Sequence, residues 1–241
     1  MDLKLIKEYR DVNFVYELPS MEHVTLSLVD NGVWPEKAKT LAFQLNKVSN
    51  KDFQTLWGNI GEKYFSRLYY YIRKENILVG KTGTVCGLVK RHAFSSKEEM
   101  ADVYIRTIAE FFWKPWEKYV FGFYGKENSE RIITEQARTY LEYDQVIAHE
   151  KDGKVVSFLA YKPLREPISG RDVDWVLWVW ISPEIQKDER QYIRAEFSDF
   201  LKTTKGNQWV VAVTEPFNTR PNIFWQSLGF KLGCVAVNIK K

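Results

Sequence analysis

A chain of 241 residues and 28.5 kDa has room for one large domain, or for one of about 150 residues with an extension. Hydrophobic residues at 45% and charged residues at 27% are ordinary for a globular protein with a full core, which excludes disordered and fibrous classes. Thirty-five basic against 31 acidic residues leave a net charge of +4, which permits an anionic ligand or nucleic acid without arguing for either; with no run of five Lys/Arg there is no basic tail.

The opening MDLKLIKEYR is charged from its second residue and lacks the apolar core of a signal peptide. No apolar run is long enough to cross a bilayer, so the expectation is a soluble, cytoplasmic protein with no membrane partner. Val24 to Val29 alternates like a strand and ends at the turn signal Asp30-Asn31-Gly32. Pro35 to Val48 reads as a helix, with Ala38, Leu41, Ala42 and Leu45 at helical spacing, and Ser49-Asn50 opens another through Phe53 and Trp57. In Lys63 to Lys74, tyrosines 64, 69, 70 and 71 interleave with Lys63, Arg67, Arg73 and Lys74. That pattern suits either a helix burying one tyrosine face or a surface for nucleic acid or protein. Ile77–Val79 and Val85–Val89 read as a hairpin about Gly80-Lys81-Thr82-Gly83. The Gly-Lys-Thr is no phosphate loop, because the leading glycine position holds Glu75.

From residue 85 onward the order is legible. Val85 to Arg91 is a strand. Ser95-Ser96 with Glu98-Glu99 is a capping box opening a helix that stops before Pro115. A second helix starts near Asn128-Ser129. Gln145–His149 and Val155–Tyr161 are strands joined by the turn Glu150–Gly153. Val173–Ile181 is continuously apolar, as in a strand buried on both faces. Asp188–Lys202 is a helix, Trp209–Val213 a strand, Asn218 the start of a short helix through Trp225, and Leu232–Ile239 the last strand. The two cysteines, Cys86 and Cys234, make no disulfide framework, and His23, His92 and His149 are too scattered for a zinc site. Aromatic residues reach 15%, nine of them Trp, clustered at Leu68–Tyr71, Phe111–Trp116 and Trp175–Trp180, which points to a core of large side chains or an aromatic-lined groove.

This order resembles the GNAT (Gcn5-related N-acetyltransferase) fold, and two segments resemble its signatures. Trp178-Val179-Trp180-Ile181-Ser182-Pro183-Glu184-Ile185-Gln186 is similar to the central strand and coenzyme loop. Asn218 to Phe230 is similar to the late helix, Asn-x-x-Ala-x-x-x-Tyr-x-x-x-Gly-Phe. The resemblance spans residues 85–241 and implies an α+β domain with a mixed six-stranded sheet and flanking helices, preceded by an N-terminal extension, 1–84. In the family the loop amides and helix N-terminus hold the coenzyme A pyrophosphate. Here the loop's Gln/Arg position is Gln186, its two glycine positions hold Glu189 and Gln191, and the late helix carries Trp225 where the family has its general acid, Tyr. An indole N–H donates a hydrogen bond but cannot hand over a proton.

The resemblance implies transfer of an acetyl group from acetyl-CoA to an amine whose identity stays open, or, given those departures, a catalytically silent module that binds or assembles. For the chemistry, Glu215 is the preferred base, with Asp174 (or Asp172) the alternative and Trp225 in the acid's place. Ile181, Gln186, Lys187, Glu189, Arg190, Gln191, Asn218 and Asn222 are the positional candidates for the coenzyme. Lys187 and Arg190 are the cations able to meet phosphate, and Asn218 is the cap of its helix. Residues 1–84 are the expected source of specificity, of a protein partner or of a homo-oligomer.

Overall fold

The computed structural model describes residues 4–5, 13–18, 21–29, 38–44, 64–80, 88–114, 125–166, 171–215 and 218–240. In chain order the strands are β1 (Lys4–Leu5), β2 (Asn13–Leu18), β3 (Met21–Val29), β4 (Ala38–Gln44), β5 (Tyr64–Arg73), β6 (Val89–Arg91), β7 (Val146–Lys151), β8 (Lys154–Arg165), β9 (Asp172–Ile181), β10 (Trp209–Thr214) and β11 (Lys231–Lys240). The helices are α1 (Lys97–Ile108), which runs on as a π-helical turn over Ala109–Trp113, α2 (Lys126–Tyr140), α3 (Lys187–Thr203) and α4 (Thr219–Ser227).

All strands join one mixed sheet in the order β1-β2-β3-β4-β11-β5-β10-β9-β8-β7-β6. The six strands expected after residue 85 are all present, with the four helices, in the GNAT-like α+β arrangement. β9 and β10 are parallel neighbours. The strand between β10 and β11 is β5, antiparallel to both, and it comes from the segment assigned by sequence to the extension 1–84. Its burial follows from its residues: Tyr69 and Tyr70 are 2% and 1% exposed, so their rings belong to the core and not to a nucleic-acid surface.

The helix expected over Pro35–Val48 is instead a strand at Ala38–Gln44, paired antiparallel with β11. Four apolar residues in a short window fit either period, and pairing with β3 on one side and β11 on the other decides. Ile77–Val79 is not a hairpin strand; Leu78 N–H donates to the Leu228 carbonyl at 3.1 Å, tying this segment to the end of α4. The expected helix over Ser49–Trp57 and the turn at Lys81–Gly83 lie outside the described residues.

The core has two faces. Under α3 and α4, Leu68, Tyr70, Val176, Ile193, Phe197, Leu201, Val210, Ala212, Trp225 and Phe230 form one apolar layer. Opposite, α1 and α2 cover β7–β9 through Met100, Tyr104, Ile108, Leu141 and Phe158, with Trp178 and Trp180 packed alongside. Ser96 caps α1, accepting from the Glu99 N–H at 3.1 Å, while the Glu99 carboxylate returns to Ser95 N at 2.7 Å.

Candidate active site

The site is built where β9 and β10 part. Their ladder runs from Trp209↔Val173 to Ala212↔Val176 and stops, although β9 continues to Ile181 and β10 to Thr214. On the other side of β9, Ala160 pairs with Trp178 and Tyr161 with Val176, so Leu177 is the extra residue of a β-bulge. A bulge leaves its extra residue out of the ladder and re-aims the chain. The bulge and the fork coincide, so the chain of β9 is re-aimed where the two strands separate.

β9 leads into the loop 182–186 and α3. This loop holds itself together. Ile185 N–H donates to the Ser182 carbonyl at 3.3 Å and Glu184 N–H to Ser182 Oγ at 3.3 Å. One Arg190 guanidinium nitrogen lies 3.5, 3.2 and 3.1 Å from the carbonyls of Ser182, Pro183 and Ile185. Arg190 thus gathers the loop's carbonyls, while its side chain and that of Lys187 remain exposed. Gln186 and Glu189 make a reciprocal capping box: the Gln186 side chain accepts from the Glu189 N–H, and the Glu189 carboxylate accepts from Gln186 N–H at 3.1 Å. Lys151 Nζ lies 2.8 and 3.0 Å from the two Glu189 oxygens. Glu189 is 6% exposed, and its ion pair with Lys151, then its bond to Gln186 N–H, hold its carboxyl below the usual carboxylate range. The carboxylate therefore turns inward and spends its charge on Lys151 and the helix end instead of facing outward. Gln191 is exposed on the first turn, and Ile181 closes β9 among the partly buried residues under α3.

At the end of β10 the Glu215 carbonyl collects two N–H donors, Asn218 N–H at 3.0 Å and Asn222 Nδ2 at 3.1 Å, with the Thr214 hydroxyl oxygen 3.2 Å away and its one proton directed to Asn222. Asn222 Oδ1 also accepts from Thr214 Oγ1. Asn222 thereby locks α4 onto β10, and Glu215 stands at the mouth of the fork. Asn218 occupies the cap position, yet its side chain makes no cap bond.

Two expected site residues are taken up elsewhere. Asp174 is fully buried at the far end of β9, beside Val210, with Lys74 Nζ at 2.5 Å, Thr204 Oγ1 at 3.2 Å and Asn207 Nδ2 at 3.2 Å. Its position is structural: it ties the segment after β5 to β9 and α3. Trp225 is 1% exposed, its ring packed on Phe224 at 4.8 Å and Phe230 at 4.9 Å. A ring sealed in the core supplies packing, not an acid. Ile181 and the 182–191 loop thus continue β9 past the fork, Glu215 and Asn222 are joined at the end of β10, and Asp174 and Trp225 are held elsewhere. The bulge at Leu177 has no signal in the apolar run Trp175–Trp180, which carries no glycine. The Lys151–Glu189 pair was legible only as separate charges.

No known family profile matches the chain, and no curated protein does. Among solved structures, a functionally unknown conserved protein from Staphylococcus epidermidis shares the fold at a TM-score of 0.52 and 11% identity, over 99% of this chain and 94% of that one. A GCN5-related N-acetyltransferase from Kribbella flavida aligns at 0.44 and 13%, over 73% of this chain; this chain spans 58% of that protein. A GCN5-related N-acetyltransferase from Sphaerobacter thermophilus aligns at 0.47 and 9%, over 95% and 80%.

Proposed function

We propose that the protein is an N-acyltransferase that moves an acetyl group from acetyl-CoA to an amine in the fork between β9 and β10. The observation that carries this reading is the coincidence of fork and bulge at Leu177. Attack of an amine on a thioester builds negative charge on the carbonyl oxygen. Preorganised backbone donors at that point are what the step needs. A thioester laid in the fork would meet the backbone freed from both ladders. Glu215, at the fork's mouth, is the side chain placed to take the amine's proton directly or through a water.

The donor's phosphates are met differently from the resemblance's expectation. Two amides at the start of α3 are already satisfied by the capping box, so the exposed Lys187 and Arg190 side chains carry the contact, helped by the α3 dipole. Charge-assisted contacts from two exposed side chains, one of which already serves the loop's carbonyls, are weaker than a cradle of fixed amides, so the coenzyme binds weakly. A second reading rests on the same capping box: a loop that satisfies its own donors suits a catalytically silent module acting through a protein partner or its own copies. Incubating the protein with acetyl-CoA and a panel of small and peptide amines, and measuring free thiol, separates the two. Thiol release that depends on an amine and falls at least tenfold in Glu215→Gln supports transfer. A monomer that releases no thiol and copurifies with nothing would defeat both readings.

A further inference from the structure

The covered side of β9 beyond the fork is an aromatic wall with one donor left unmet. Trp178 and Trp180 lie on that side, packed against α1 and its π-helical turn. The Phe112 ring stands 6.2 Å from Trp178 at 68°, and the Phe111 ring 5.1 Å from Trp180 at 35°. Trp178 Nε1 donates to Thr107 Oγ1 at 2.9 Å. Trp180 Nε1 is buried and, among the described residues, has no partner. A buried donor without a partner loses its water and gains nothing in return, so such groups are rare and call for an explanation. π-helical turns in α-helices are themselves uncommon and gather at functional sites, because the extra residue loosens the hydrogen-bond ladder. Here the turn Ala109–Trp113 is the element that delivers Phe111 and Phe112 to the wall.

We propose that the acceptor amine carries an aromatic ring with a hydrogen-bond acceptor at its far edge, and that Trp180 Nε1 reads that group. The span fits. Trp180 lies three residues past the bulged Leu177, roughly 10 Å along a strand, the reach of an amine, a two-carbon arm and one ring. With its amine at the fork, such a ligand lays its ring against the wall. Entry requires the partly buried Phe111 ring to move off Trp180, a displacement the π-helical turn is suited to allow. Once seated, the ligand's oxygen or nitrogen supplies the missing partner. An acceptor lacking that atom leaves the N–H buried and unpaired, the situation in which sites discriminate most strongly.

The inference rests on the acyl-transfer reading for its placement of the amine, and direct binding tests it apart from turnover. Tyramine and phenethylamine differ by one hydroxyl, and calorimetry on the full chain compares them. Tyramine is expected to bind roughly fivefold to tenfold tighter. Trp180→Phe, which keeps a ring and loses the N–H, should bring the two within twofold. Phe111→Trp, which fills the space into which the ligand moves, should weaken both by more than tenfold at an unchanged melting temperature. Equal affinities in the wild-type protein, a preference that survives Trp180→Phe, or no binding of either amine at millimolar concentration would overturn the proposal. Thiol release with a non-aromatic amine such as spermidine, while neither aryl amine binds, would overturn it and leave acyl transfer standing. Trp180-dependent tyramine binding without any thiol release would uphold it and count against acyl transfer.

Discussion

Removing the ammonium from Lys74 should unfold the protein more readily than any surface substitution. Asp174 has no exposed surface, and among the described residues Lys74, 11% exposed, is its one charged partner, at 2.5 Å. Lys74 Nζ also donates to the Thr204 carbonyl at 3.0 Å. Lys74→Met keeps the stem and deletes the charge, leaving a buried carboxylate with three neutral donors: Thr204 Oγ1 at 3.2 Å, Asn207 Nδ2 at 3.2 Å and Asn207 N–H at 3.4 Å. Breaking a buried pair by removing one member costs about 3–5 kcal/mol. The neutral donors soften this toward the lower end, about 3 kcal/mol. For a chain of this size roughly 2–4 °C accompanies each kcal/mol, so the melting temperature should fall by about 6–12 °C by circular dichroism. Adding Asp174→Asn to Lys74→Met should recover most of the loss, since the uncompensated charge is then gone. A fall below about 1 kcal/mol in the single variant, or no recovery in the double, would refute the claim that this pair fastens the segment after β5 to β9 and α3.

Acid should destabilise the fold through His149. Burial, then the nearby Arg91 charge, push its imidazole from an ordinary 6.5 down to about 4; its Nδ1 bonds Ser157 Oγ at 2.7 Å, and the Glu196 carboxylate stands 4.0 Å from Nε2. Because the folded value is depressed, the unfolded chain binds the extra proton first. Stability is therefore intact above about pH 6.5 and falls as pH drops toward 4, by about 3 kcal/mol at most; His149→Phe should flatten urea-measured stability across that window, and an unchanged slope would exclude His149 as its source. Glu189→Gly should lose about 1 kcal/mol with the capping box yet bind acetyl-CoA several-fold tighter in calorimetry, because two amides and Lys151 are released. Weaker binding would mean the box shapes the loop for the ligand. Gly229→Ala should cost about 1–3 kcal/mol in chemical denaturation, since its φ of +89° disfavours a side chain and the new Cβ would meet Ile72 and Leu78 at 3.3 Å; a neutral result would show that this corner gives way freely.

Much of the region after residue 85 was legible because its elements carry strong local signals. The capping box at Ser96, the apolar run of β9 and the Gly229-Phe230 stop each stand close to where the structure has them. The region before it was not. β4 shows apolar spacing that a helix would share, and β5 earns its central place only through partners more than 130 residues away, Ala212 and Leu232 facing Tyr70. Sequence spacing also marks positions without directions. It placed Glu189 at a glycine position of the loop but could not show its carboxylate turned toward Lys151. It placed Trp225 at the acid position but could not show the ring closed in the core. Glu215, by contrast, is at the mouth of the fork because it directly follows a strand whose end is fixed by the antiparallel ladder with β5, Thr214 facing Leu68. The bulge at Leu177 depends on the register between β8 and β9, which a run of interchangeable apolar residues does not encode visibly.

If the fork between β9 and β10 holds an acyl-coenzyme A, titrating acetyl-CoA into the protein reveals it by calorimetry. Binding should be saturable and one-to-one, should weaken with salt, as expected if Lys187 and Arg190 meet the phosphates, and should weaken further in Lys187→Ala. No heat of binding at millimolar acetyl-CoA, together with no rise in melting temperature, would contradict it.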